Sequence, residues 1–421
     1  MAMGGMIDLT AEQRRFNPPY TRLHDCQWPY PEVVDIHAIF RNPAADPALP
    51  ENYDFPLTDD YLVHVVQTGA KIVYRLGESI EHAKVKRFVH PPPDPKRWAQ
   101  VCLGIISHYN EGWAKGYHYG IPYWEIWNEP ENRPTMWGGT DADYLELYRV
   151  TARTIKDAMP HVKVGGPALG YSGRLENGAF IPSDFLTNFL TMCNHESVPL
   201  DFFSWHCYTA DPSELSARAR GVRKLLDASG FTKTESHLNE WNYLPGNSWA
   251  AFDKTAWPEL RRDFYHQMSG VAGAVFTATA LIELQDAPVD VANYYHGELG
   301  PFGVFDEFGA PTKAYDALCA FNELVSAGGR VATEGAIPGK LAILAAFNTE
   351  QQRAAVLVSN FGHQADEIEV TLSGLKKENC QVRLIDSDRS NFAVTKRQAV
   401  GLNSTLRVKL KAPALALVTF D

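Results

Sequence analysis

The stretch YWEIWNEP, residues 123–130, decides how the chain is read. It opens as an apolar and aromatic run of strand type, and Pro130 stops it. At its end it presents an amide, Asn128, beside a carboxyl, Glu129. A second carboxyl stands in a similar frame in SHLNEW, residues 236–241, where Asn239 precedes Glu240 and Trp241 follows it.

On both sides of these stretches helical and strand periods alternate. Residues 6–9 read as a short first strand, Thr10 and Gln13 as a capping box, and Pro18 and Pro19 as a stop. Residues 20–25 (YTRLHD) form the next strand, followed by a Pro-rich excursion, 28–56, too long for an ordinary connection. Helix 58–68 then leads to strand 71–76, helix 95–115 to strand 122–128, and helix 141–158 to strand 161–167. Helix 183–193 leads to strand 200–206, helix 213–229 to strand 236–241, and helix 254–269 to strand 271–283. This makes eight strands, and alternation over roughly 300 residues implies parallel pairing with right-handed crossovers. The expected fold class is therefore α/β, a (β/α)8 TIM barrel whose reactive groups sit at the C-terminal strand ends. A doubly wound open sheet is the competitor, weakened because no GxGxxG follows the first strand.

After a last helix at 311–325 the texture changes to short alternating segments at 341–347, 354–360, 367–372, 381–385, 405–410 and 414–420. These predict a small antiparallel β-sandwich. The expected division is a barrel over residues 1–325 and a sandwich over 326–421.

Composition removes several function classes. Hydrophobic residues make up 45% of the 421 and charged residues 21%, the balance of a globular protein with a large core. The net charge of −11 argues against nucleic acid and anionic membranes as partners. No run of 18 apolar residues occurs, so no membrane span is expected. The six cysteines are scattered without a CxxC pair, which fits reduced thiols. The first residues lack the basic and apolar blocks of a signal peptide, and a cytoplasmic location is expected. Residues 77–82 (GESIEH) lack the HExxH spacing of a metal site, 170–173 (GYSG) is no nucleophile elbow, and Gly339-Lys340 is no phosphate loop. No metal or organic cofactor is implied.

Glu129 and Glu240 end the fourth and seventh strands of this count, so a barrel rim brings them together. Glycoside cleavage needs such a pair: one carboxyl gives a proton to the leaving oxygen, and the other attacks the anomeric carbon or directs water to it. Asn128 is placed to hold a sugar hydroxyl, and Trp241 is a further candidate for sugar contact. Arg22, on strand 20–25, reaches the same rim and would keep a carboxylate ionised. His24, His206 and Tyr208 fall at strand ends, where they either bind hydroxyls or orient a carboxylate.

These residues resemble clan A glycoside hydrolases, and among them most closely family 39, the β-xylosidase and α-L-iduronidase family. The motifs TRLH (21–24), WNEP (127–130), VGGP (164–167), WHCY (205–208) and NEW (239–241) are similar to that family's strand ends, in order. Residues 356–361 and 384–391 are similar to its sandwich. The resemblance implies a retaining reaction with Glu129 as acid/base and Glu240 as nucleophile, carboxyls about 5–5.5 Å apart, and a Glu129 pKa raised by burial and by its neighbour. It also implies an oligosaccharide or glycoside substrate, xylose by default. An arabinosidase, an endo-acting β-glycanase and a catalytically silent sugar-binding barrel are the alternatives. Two departures stand out: the expected eighth strand, 275–285, carries no tryptophan, and the chain before Arg22 is short. The barrel is then incomplete there, or completed by a partner in a homo-oligomer.

Overall fold

The computed structural model describes residues 1–421 except 1, 2, 5, 6, 27–31, 351, 372, 374–378, 390–392, 401–404 and 421. Seven parallel strands form the barrel sheet: β1 (Tyr20–Leu23), β2 (Lys71–Leu76), β3 (Tyr123–Ile126), β4 (Lys163–Leu169), β5 (Phe202–Thr209), β6 (Glu235–Tyr243) and β7 (Val291–Tyr294). They pair in sequence order, which is what right-handed β–α–β crossovers produce. The sheet curls until its edges meet, where Asn293 Nδ2 donates to the Tyr20 carbonyl at 3.4 Å. A cavity of about 450 Å³ lies at this seam, against Thr21, Arg22, Asn239, Trp241 and Tyr294.

Helices α1 (Thr10–Phe16), α2 (Pro56–Gln67), α3 (Pro95–Glu111), α4 (Asp141–Ala158), α5 (Asp184–His195) and α6 (Pro212–Ala228) carry the chain between strands. Their ends follow local chemistry. Asp94 caps α3 by accepting from the amides of Lys96 and Arg97, with Pro95 in the first turn and Gly112 in the left-handed position at its end. Thr140 and Asp143 close a capping box at the start of α4.

Two expected strands differ. Ile7–Asp8 pairs antiparallel with Met3–Gly4 in a hairpin outside the barrel sheet, so among the described residues the barrel has seven strands. Residues 271–283 are not a strand but most of helix α8 (Val271–Leu284), which follows α7 (Pro258–Ser269); the last barrel strand is β7. Helix α8 is apolar all round because it is covered on every side. Phe276 faces the barrel core, while Ala274, Val275, Ala278 and Ile282 pack with Ala317, Ala320 and Leu324 of α9 (Lys313–Ser326) and with the C-terminal sheet. No single helix is long and apolar enough to cross a membrane among the described residues.

That sheet has six strands: β8 (Gly329–Val331), β9 (Leu341–Asn348), β10 (Arg353–Asn360), β12 (Asn379–Ile385), β13 (Ala393–Ala399) and β15 (Ala414–Phe420). Strands β11 (Glu367–Thr371) and β14 (Thr405–Lys409) form a two-stranded partner. Alternation along β10 serves both layers: Leu357 joins the α8 cluster, while Val356 and Val358 pack with Val370, Leu406 and Val408.

Candidate active site

The end of β3 builds the first half of the site. The strand stops at Ile126, and Trp127 and Glu129 then take left-handed backbone angles, φ 70° and 44°. Such angles are strained for large side chains, so tertiary contacts must hold the turn. The Trp127 indole donates to the Met136 carbonyl at 2.8 Å, and the Glu129 amide donates to the Ala168 carbonyl at 3.0 Å. The turn lifts Glu129 over the rim and leaves Asn128 buried beneath it.

Strand β6 builds the second half. A register shift between Leu238 and Glu240 lets two consecutive residues reach inward. Asn239 Nδ2 donates to Glu125 Oε1 at 2.5 Å, and Glu240 meets Arg22. Trp241 departs from expectation: it is 1% exposed, sits beside Tyr294 across the β6–β7 pair, and packs on that ring edge-on at 5.3 Å. Having spent its bulge on Asn239 and Glu240, the strand turns the next side chain to the outer face. Trp241 is thus packed against the core, and it also borders the seam cavity.

Arg22 is the hub. Its Nε donates to Glu125 Oε2 at 2.6 Å, Nη1 to Glu240 Oε1 at 2.8 Å and Nη2 to Asn128 Oδ1 at 2.5 Å. Burial opposes the charge, but Glu125 and then Glu240 outweigh it and hold the guanidinium pKa above its ordinary value. Tyr208 donates its hydroxyl to Glu240 Oε2 at 2.7 Å, so both oxygens of that carboxylate are held. Burial and then Glu240 push the Tyr208 phenol up, which keeps it a donor.

His206 Nδ1 lies 2.8 Å from Glu129 Oε1 and 3.5 Å from Glu240 Oε2. One carboxylate oxygen of each glutamate and one nitrogen of this ring fall within 4.8 Å of one another. The Glu129 pKa is lowered, against the expectation of a raised one. Burial does raise it, but the hydrogen bond and charge of His206, with Asn132 and Arg22 behind them, prevail. His206 is correspondingly raised: burial lowers it, and Glu240 and Glu129 more than reverse that. His24 reaches the same corner, with Nε2 3.3 Å from Asp25 Oδ2 and 3.8 Å from Glu240 Oε1. Burial and then Arg22 keep its ring well below the usual histidine pKa, hence neutral.

Several participants escaped the sequence reading. Glu125 is fully buried under Arg22; its one signal was a charge in the middle of an apolar strand. Asn132 Nδ2 donates to Glu129 Oε2 at 3.0 Å. Asp25 accepts from the Tyr295 hydroxyl at 3.1 Å, and burial followed by Glu240 raises its pKa to about 7. Glu131 accepts the Tyr171 amide at 2.7 Å and is likewise raised to about 7, by burial and then by Glu129. Gly170 packs against the acid, for a Cβ there would stand 2.5 Å from Glu129 Oε1.

Among the described residues two groups have metal-ligand spacing, Glu129–His206–Glu240 and Asp35–His37–Glu78. In the first, Arg22 already supplies a cation to Glu240. In the second, Asp35 is engaged by Arg75 and by the Ser79 amide and hydroxyl, while His37 pairs with Glu78 at 2.5 Å.

A barrel that gathers two carboxylates, an arginine and a histidine at its rim has the arrangement of a sugar-processing site. The chain belongs to glycosyl hydrolase family 39, whose profile matches residues 31–243. A β-xylosidase of Geobacillus stearothermophilus is 31% identical over 185 residues, 38% of this chain and 34% of that protein. A β-xylosidase of Caldicellulosiruptor saccharolyticus is 26% identical over 367 residues, covering 79% of this chain and 66% of that protein. The matches thus span about a third and about two thirds of these relatives' lengths. Among solved structures, a glucosidase from Croceicoccus marinus superposes with a TM-score of 0.78 at 23% identity, over 98% of this chain and 92% of its own. A family 39 enzyme from Xanthomonas axonopodis pv. citri gives 0.72 at 18% identity, over 98% and 90%. These likenesses establish the shared fold.

Proposed function

We propose that the protein is a retaining β-glycosidase that releases single sugars, xylose foremost, from short oligosaccharides or glycosides. Residues 1–325 would carry the chemistry, and residues 326–421 would form an accessory sandwich. The observation that supports this is the approach of Glu129 and Glu240, with a carboxylate oxygen of each within 4.8 Å. Retention needs carboxyls about 5–5.5 Å apart, whereas inversion needs about 6.5–9.5 Å to admit a water.

Glu240 is the nucleophile. With Arg22 on one oxygen and Tyr208 on the other, its carboxylate is held and aimed, and it attacks the anomeric carbon as the glycosidic bond breaks. Glu129 is the acid/base. It passes its proton to the departing oxygen, then takes one from the water that cleaves the glycosyl ester, returning both carboxyls to their starting state. Asn128, fixed through its oxygen by Arg22, presents its amide N–H to a sugar hydroxyl.

The test is hydrolysis of a panel of nitrophenyl glycosides by the wild type, Glu129→Ala and Glu240→Ala, with and without azide. We expect wild-type turnover on the β-xyloside, near-complete loss in both variants, and glycosyl azide products of opposite anomeric configuration from the two. Failure of azide to rescue Glu240→Ala removes the nucleophile assignment. A wild type inactive across the panel favours a sugar-binding barrel, and preference for an α-L-arabinofuranoside favours the arabinosidase alternative.

A further inference from the structure

On the Tyr208 side of Glu240 the neighbouring residues are aromatic rather than polar. Tyr208, which holds Glu240 through its hydroxyl, is met edge-on by Trp249 at 5.2 Å and by Phe302 at 5.7 Å. Phe252 stacks on Phe302 at 5.3 Å with 11° between the planes. Trp249 and Phe252 come from the turns that follow β6, and Phe302 from the loop before α9.

Two of these rings are open to solvent although they lie against Tyr208 and Phe302. Trp124, Trp127, Trp137, Trp205 and Trp241 are fully buried, whereas Trp249 is 51% exposed and Phe252 47% exposed. Trp249 stands one side chain away from Glu240, across Tyr208, and a flat ligand stacked on it would regain the burial that the open ring forgoes. The other side of Glu240 holds the polar, buried Arg22, His24 and Asn128, suited to enclosing the sugar that is attacked. A leaving group must depart toward solvent, so the open aromatic side lies on its path.

We propose that Trp249, backed by Tyr208 and Phe302, is the stacking platform of the leaving-group subsite. The preferred aglycone is then a flat ring, either an aryl group or the apolar face of a second sugar, and not a short alkyl alcohol. This rests on the glycosidase reading above. It adds which substrates are favoured and which residue favours them.

The experiment is titration calorimetry with two uncleaved ligands, 4-nitrophenyl 1-thio-β-D-xylopyranoside and its methyl counterpart. The wild type should bind the aryl ligand more tightly, and Trp249→Ala should shrink the aryl-to-methyl affinity ratio roughly five- to tenfold. Trp249→Phe, which keeps a ring and guards against a folding defect, should hold the ratio within about twofold of wild type. An unchanged ratio in Trp249→Ala overturns the proposal, whether both affinities fall together or neither moves. Absence of binding of either thioglycoside to the wild type also overturns it. Failure of the glycosidase reading shows separately, as a wild type that binds these ligands yet cleaves no nitrophenyl glycoside.

Discussion

His206 and Glu129 share a hydrogen bond of 2.8 Å, while the same ring nitrogen stands 3.5 Å from Glu240. A single imidazole thus answers to both carboxylates, and the protonation of one is read by the other. The contact lowers the Glu129 pKa and raises that of His206, so the acid form of Glu129 is disfavoured while the ring faces it.

Replacing His206 with Asn should therefore move the pH profile. Without the ring, burial acts on Glu129 with less opposition and its pKa rises, so the acid form survives to higher pH. The alkaline limb of kcat/KM should shift upward, and kcat should fall about a hundredfold. An alkaline limb that stays put would show that another group sets it.

Arg22 carries a stability prediction. Its removal leaves Glu125, fully buried, and Glu240, 5% exposed, as neighbouring carboxylates without their cation. Arg22→Ala should cost about 3–5 kcal/mol, measured by denaturant unfolding. Arg22→Lys should recover only part of this, since an ammonium cannot serve three acceptors in a planar fork.

Gly170→Ala tests how closely the acid is packed. The added methyl would lie 2.5 Å from Glu129 Oε1 and 2.7 Å from Cδ, so the carboxyl must move. We expect a loss of about a hundredfold in kcat with an unchanged melting temperature. A fall in melting temperature with kcat preserved would mean that the loop yields and the acid does not.

Glu131→Gln bears on stability against pH. The Glu131 carboxyl rises from 4.5 to about 7 on folding, so between these values the native chain binds more protons than the unfolded one. Its contribution is neutral below pH 4.5 and increasingly unfavourable as pH rises to 7. The glutamine keeps an acceptor for the Tyr171 amide and removes the titration. The variant should match wild type near pH 4.5 and exceed it by roughly 3 kcal/mol at pH 8. Equal unfolding free energies at pH 8 would refute the raised carboxyl.

Much of the fold was legible because the barrel strands are short, apolar and separated by amphipathic helices of ordinary length. The site was legible where chemistry and strand ends coincide, as at Asn128, Glu129, His206, Tyr208 and Glu240. Helix α8 was not, because VAGAVFTATALIEL shows no polar stripe; its covers come from distant segments, and β-branched residues in such a run imitate a buried strand. The burial of Trp241 gave no sign in the sequence, since the register shift between Leu238 and Glu240 appears only once β6 is paired with β5. Asp25, Glu131 and Glu125 gave little warning, since a carboxylate becomes notable only once its partners are known.

The covering of α8 has a consequence for how the molecule is divided. Ala274, Val275, Ala278 and Ile282 meet Leu344, Leu357, Leu415 and Leu417, so cutting the chain after α9 would lay bare a greasy rod on the flank of the barrel. The C-terminal sheet is in effect a wall lent to the barrel by a distant stretch of chain, and the barrel should be insoluble without it.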